Sequence, residues 1–235
     1  MNKLIEVLLN IFNRYHFYKI NNYLKKLKLI NFIDIGAHKG EFFKYFIKKN
    51  KFIKKSILIE PQENKISNLL IMTKKFNMKI IIKNIAIGNS NKQEKFFINP
   101  LSSSSTIKNY DKKSFWLRFK KIILFFSSKI ETENKQKFVT VTTLDKVFKD
   151  LNLKTIDFVK IDVEGSEYEV LLGAKKSLHN INYILIERQF TNLYKNYSFE
   201  KIEKLLNKNK FLLIKNFKFI LPFFEDRLYK KIYEK

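Results

Sequence analysis

Short apolar runs alternate with segments of helical period along most of this chain, and that rhythm leaves few folds open. The runs NFIDI, KSILIEP, MKIIIKNIAIGN, IDFVKIDVEG and INYILIERQF each have a strand's length and end on acids, glycine, asparagine or proline. Between them lie stretches such as GEFFKYFIKK, where Phe43, Phe46 and Ile47 recur on one helix face, and SFEKIEKLLNKN. Continuous apolar strands separated by helices argue for an α/β fold, a mostly parallel sheet with helices on both faces. No internal repeat interrupts the pattern, and 235 residues suit one core with insertions.

The boundaries follow from composition. Residues 1–30 read as an N-terminal amphipathic helical extension, and 31–235 as the main domain. Within it, a helix is expected at about 62–77, an extra strand at QEKFFINP, and a half-exposed strand at FVTVTT with Thr143 capping a short helix. The stretch at about 107–136, together with the serine run Ser102 to Ser105, has no period and reads as an insertion. FLLIKNF and KFILPFF read as a terminal strand pair.

The formal net charge of +25 would ordinarily point to nucleic acid or an anionic membrane. All but four of the 47 basic residues are lysine, however, and they come with abundant Asn, Ile and Phe along the whole chain. Those residues share AT-rich codons, so base composition explains the charge, and arginine, the better sign of specific phosphate recognition, is scarce. No specific nucleic-acid partner is expected. The chain has no cysteine, and His16, His38 and His179 stand at no metal-ligand spacing, so no metal site is expected. No run is long enough to span a bilayer, which leads to an expectation of a soluble, cytoplasmic protein, at most peripheral to the inner face of the membrane. MNKLIEVLLNIFNRY and SFWLRFKKIILFFSSK mix apolar and basic residues as interfacial helices do. Packing on the sheet, or a lid, reads the same way and is the expectation here, with peripheral membrane contact as its alternative.

Four of the five glycines, Gly36, Gly40, Gly88 and Gly165, fall at or just beyond the C-terminal end of an expected strand, the edge where open parallel sheets bind ligands. The turn FIDIGAHKGEF is neither a dinucleotide fingerprint, which would need glycine where His38 and Glu41 stand, nor a P-loop. Asp34 and Glu41 bracket it with carboxylates, which repel a pyrophosphate and suit a ligand carrying positive charge, such as S-adenosylmethionine. Glu60, at the tip of the second strand, is placed to accept hydrogen bonds from ribose hydroxyls. A second acidic edge carries Asp162 and Glu164, two apart and hence on one side of an extended segment, and Glu187 stands at the tip of the fifth strand with Arg188 as a candidate ion-pair partner. Glu167 reads as a first-turn helix acid that favours the helix dipole.

Taken in order, FIDIGAHKGEF, ILIEPQ, NIAIGNSN, VTVTTLD, VKIDVEGSEYEVLLGA and ILIERQF resemble the motif series of the FkbM-type methyltransferases, class I enzymes that use S-adenosylmethionine. The resemblance covers roughly residues 31 to 190. It implies a Rossmann-like, mostly parallel seven-stranded sheet, with Asp34, Gly36, Ala37, His38 and Gly40 at the methionine end of the cofactor. It further implies Glu60 and Pro61 at the ribose, and Asn84 and Ala86 beside the adenine. Family members methylate hydroxyl groups, often on sugars, so a saccharide or related small molecule destined for a cell-surface glycan is the expected acceptor.

An acceptor hydroxyl must lose a proton, and Asp162, Glu164, Glu187 or His38 could take it, Asp162 and Glu164 being favoured by their place on the edge. Two rival readings share the fold: an RNA methyltransferase, and a relative that binds ligand without turnover. The oligomeric state is not legible.

Overall fold

The computed structural model describes residues 2–98, 106–107, 135–190, 194 and 196–233. The serine run and the SFWLRFKKIILFFSSK stretch lie outside the described residues. The elements are α1 (Asn2–Leu24), β1 (Asn31–Ile35), α2 (Glu41–Lys49), β2 (Lys55–Ile59), α3 (Glu63–Thr73), β3 (Lys79–Lys83), β4 (Ala86–Ile87) and β5 (Lys92–Ile98). They continue with β6 (Lys135–Thr142), α4 (Leu144–Asp150), β7 (Ile156–Ile161), α5 (Glu167–Leu172), β8 (Ile181–Gln189), α6 (Phe199–Lys208), β9 (Phe211–Lys218) and β10 (Phe224–Lys231).

Seven strands form one sheet in the order β3-β2-β1-β7-β8-β10-β9. The first five in that order run parallel, and β10 is antiparallel to both its neighbours. The chain builds outward from β1 to β3, then returns to lay β7 against the free side of β1. The order therefore reverses between β1 and β7, the switch point where such sheets hold ligands beyond the strand ends.

Alternation along each strand feeds two cores. Ile33 and Ile35 of β1, Val159 of β7 and Ile184 and Ile186 of β8 pack under α4, α5 and α6, which contribute Leu144, Val170, Leu171 and Ile202. Phe32, Phe158 and Leu185 face the other way, under Ile20 and Leu24 of α1 and Phe42, Phe43 and Phe46 of α2. On that face Phe32 lies 4.5 Å from Phe46 and 5.2 Å from Phe158, between ring centroids. Each such fully buried ring stabilises the fold by about 1.5–3 kcal/mol.

Two expectations from the sequence are corrected. The run MKIIIKNIAIGN is not one buried strand: it supplies β3, a half-buried edge, and then β4, which leaves the sheet. β4, β5 and β6 make a separate three-stranded sheet, β4 parallel and β5 antiparallel to β6. The terminal strand pair is FLLIKNFK with FEDRLYKK, while most of KFILPFF forms the turn between them. The charges of β10 are tolerated because Arg227 pairs with Glu225 at 2.7 Å and with Glu203 of α6 at 2.5 Å. Thr143 does cap α4, its hydroxyl accepting from the Lys146 N–H at 3.1 Å.

Candidate functional site

The tips of β1 and β7 are pressed together. Asp162 N–H donates to the Ile35 carbonyl at 3.0 Å, and the Gly36 and Ala37 N–H groups both donate to the Ile59 carbonyl on β2, each at 3.0 Å. A Cβ at Gly36 would sit 1.8 Å from the Asp162 carbonyl oxygen, and Gly36 has a φ of +86°. Only glycine meets both conditions. Gly40, at φ +79°, starts α2 and is covered by Met72, whose terminal carbon a Cβ would meet at 2.2 Å.

His38 also lies at positive φ, and its N–H donates to Glu60 Oε2 at 2.8 Å. The other oxygen of Glu60 accepts from the Gln62 N–H at 2.8 Å. Burial pushes the Glu60 carboxyl above its ordinary range, and those two N–H donors oppose the rise. The Asn84 side-chain amide donates to the Glu60 and Pro61 carbonyls, each at 3.0 Å, tying the end of β3 to the end of β2. Ala86 is buried at the start of β4. The His38 ring stands 3.2 Å from both oxygens of the exposed Glu41; partial desolvation would raise that carboxyl, but the His38 contact holds it below its ordinary range.

Asp34 faces the α2 side of the sheet, fully buried, with neither carboxylate oxygen hydrogen-bonded among the described residues. Burial pushes its carboxyl up to about 6, and the Lys160 ammonium, 3.7 Å away, limits the rise. Lys160 extends from β7 on the same face, in register with Asp34, and donates to Asp162 Oδ2 at 2.8 Å. Burial alone would lower its pKa, but Asp162 and Asp34 together hold it above the ordinary lysine range. Lys160 did not stand out in the sequence. The available signal was a lysine inside an apolar strand, two residues from Asp162 and thus on its face.

The acidic edge differs from expectation. β7 ends at Ile161, and Glu164 bends back at φ +55°, so Asp162 and Glu164 are not successive same-face residues of one strand. Asp162 is one-third exposed beside Lys160, whereas Glu164 accepts from the Tyr194 hydroxyl, and its carbonyl accepts from Thr106 Oγ1 at 2.6 Å. Glu187 is buried and bonded to the Gln189 side chain; burial, then Asp162, Glu164, Asp226 and Glu167, raise its carboxyl well above the ordinary range. Arg188 points away from Glu187 and pairs with Glu225 at 3.3 Å.

Glu167 is the larger surprise. It is fully buried, and one oxygen accepts from the Gly165 and Val163 N–H groups at 3.1 and 3.3 Å, so it secures the turn after β7. Burial pushes its carboxyl up to about 8. On the α2 side of the sheet, His16 of α1 meets Asp226 Oδ2 at 2.7 Å, a contact 210 residues apart in sequence. Among the described residues, no group of three or more acids and histidines is placed to hold a metal ion.

A glycine turn at the switch point, with acids at the tips of β1, β2 and β7, carries the features expected of a methyltransferase. The model of the methyltransferase FkbM domain matches residues 34–230. The chain belongs to the FkbM methyltransferase family. The match runs past residue 190, where the motif series ended, and takes in β9 and nearly all of β10, so the C-terminal strands are part of the FkbM domain while α1 precedes it. Comparison with curated proteins finds no match.

Among solved structures, the methyltransferase FkbM from Methylobacillus flagellatus KT is 15% identical with a TM-score of 0.56, covering 86% of this chain and 44% of that one. The present chain thus spans less than half the length of that relative. An uncharacterized protein from Listeria monocytogenes serotype 4b is 12% identical with a TM-score of 0.51, covering 93% of this chain and 67% of its own. A protein of the NADB-Rossmann superfamily from Streptococcus agalactiae is 13% identical with the same score, covering 94% and 69%. These likenesses establish a Rossmann-like fold.

Proposed function

We propose that this FkbM-family protein transfers a methyl group from S-adenosylmethionine to a hydroxyl of a saccharide or related small molecule, in the assembly of a cell-surface glycan. The observation that carries the cofactor assignment is Glu60, a buried carboxylate at the tip of β2 held by the His38 and Gln62 N–H groups, beside a glycine turn that closes tightly on the tip of β7. Asp34, Gly36, Ala37, His38 and Gly40 would hold the methionine end, Glu60 with Pro61 the ribose, and Asn84 and Ala86 would flank the adenine. Each Glu60 oxygen accepts one backbone N–H and retains lone-pair capacity for a ribose hydroxyl.

When bound, the cofactor supplies an electrophilic methyl group on a sulfonium. The protein's share is to align the acceptor oxygen, exclude water and take the hydroxyl proton. We assign that proton to Asp162, which is partly exposed at the edge and accepts from the Lys160 ammonium at 2.8 Å. Glu187 and Glu164 are the reserve candidates, each already bonded to a neighbour. The saccharide rests on the family resemblance. RNA as acceptor is a second reading, supported by the net charge of +25, and it predicts RNA affinity that falls steeply with salt.

The test is calorimetric titration of the protein with S-adenosylhomocysteine, beside Glu60→Ala. Micromolar binding by the wild type, lost in the variant, supports the assignment and opens a screen of sugar acceptors. A folded wild type that binds no S-adenosylhomocysteine refutes it.

A further inference from the structure

Helix α1 does more than cover the sheet. His16 lies at the ligand edge, against Asp226 and the rings of Phe219 and Phe224, which flank the β9–β10 turn. From there α1 descends toward the opposite edge, where the Ile30 N–H meets the Asp157 carboxylate at the foot of β7. Residues before His16 therefore continue beyond the ligand edge. At 1.5 Å per residue, Val7 lies about 14 Å further out along the helix axis.

That outer part carries apolar side chains in water. Val7, Ile11 and Tyr15 recur at four-residue spacing on one face and are each 51% exposed, with Leu8 beside them. At the same edge Ile220 of the β9–β10 turn and Phe190, just after β8, are about half exposed. A soluble protein ordinarily hides such a grouping, and its presence marks an interaction surface. Its border is basic: Arg14 on α1, Lys218 at the end of β9 and Lys39 in the glycine turn are all exposed.

We propose that this edge docks on an anionic lipid surface, with the outer turns of α1 entering the interface and the mouth of the site turned toward the membrane. An apolar ridge bordered by cations, on a chain of net charge +25, is complementary to acyl chains beneath negative headgroups. A second copy of the chain fits less well, because two such cationic borders would repel. The docking needs no assumption about catalysis. Its corollary, that the acceptor is a lipid-anchored hydroxyl compound, rests on the methyl-transfer reading above.

The experiment is flotation of the full chain with phosphatidylcholine vesicles, with and without phosphatidylglycerol, for wild type, the double variant Val7→Asp/Ile11→Asp, and Ile220→Asp on a separate element. Thermal melts confirm that the variants fold. The expected result is flotation with the anionic vesicles alone, reduced by about tenfold or more in the double variant, weakened in Ile220→Asp, and reduced by salt. No flotation of the wild type overturns the proposal. So does flotation unchanged by the substitutions, which would make it charge alone, or a wild-type dimer that the double variant converts to monomer. Titration with S-adenosylhomocysteine on the same samples separates the two readings: a protein that floats but does not bind it keeps the docking and loses the methyl transfer.

Discussion

Replacing Glu167 by glutamine should change how the fold responds to pH more than it changes the fold itself. The wild-type carboxyl is fully buried, with one oxygen on the Gly165 and Val163 N–H groups and the other without a partner among the described residues. Its pKa rises from 4.5 in the unfolded chain to about 8 when folded. The unfolded state therefore releases its proton first. Stability contributed by the neutral carboxyl is complete below about pH 4.5, is lost progressively as pH rises, and levels off above about pH 8. At about 1.36 kcal/mol per pH unit that interval bounds the loss at about 5 kcal/mol, and relaxation around the buried charge brings the expectation to about 2–4 kcal/mol.

Glutamine keeps an oxygen for both N–H donors and cannot ionise. Asp34, Glu60 and Glu187 are also raised by burial and titrate with the same sign, so the informative quantity is the difference between wild type and Glu167→Gln in urea unfolding. That difference should move in favour of the variant by about 2–4 kcal/mol between about pH 5 and about pH 9. A difference constant to within about 0.5 kcal/mol over that range would refute the reasoning.

Two further substitutions probe the strand tips. Gly36→Ala would have to push β1 and β7 apart by more than an ångström and hold alanine at φ +86°, so a loss of about 2–5 kcal/mol in urea unfolding and abolished S-adenosylhomocysteine binding are expected; wild-type melting would show that the tips are free to part. Lys160→Met strands Asp34 in an apolar setting and should destabilise by about 3–5 kcal/mol, while a loss under about 1 kcal/mol would mean that Lys160 and Asp34 are not coupled.

The parallel core was legible because strands buried on both faces read as uninterrupted apolar runs, and the glycine turn because few residues tolerate what Gly36 must do. Other features depend on partners distant in sequence. Nothing local to His16 marks Asp226 as its neighbour, and nothing in FVTVTT says that it leaves the main sheet to join β4 and β5. The second terminal strand was placed at KFILPFF because that run is apolar, whereas the charged FEDRLYKK is accommodated by Glu203 of α6, a partner of Arg227 that no local pattern marks. Glu167 was misread because an acid in a first helical turn has a sufficient local explanation, and only the fold shows that the turn is buried.

The position of β10 between β8 and β9 sets an order on assembly. β9 emerges earlier in synthesis than the strand it must pair with, so until residues 224–231 arrive both it and β8 present open edges. Asp226, the partner of His16, lies on that same late segment, so the anchoring of α1 waits for it as well. A nascent chain paused before this segment would hold a parallel sheet already built, with unsatisfied backbone exposed on one side, the state in which such a protein aggregates or calls on chaperones.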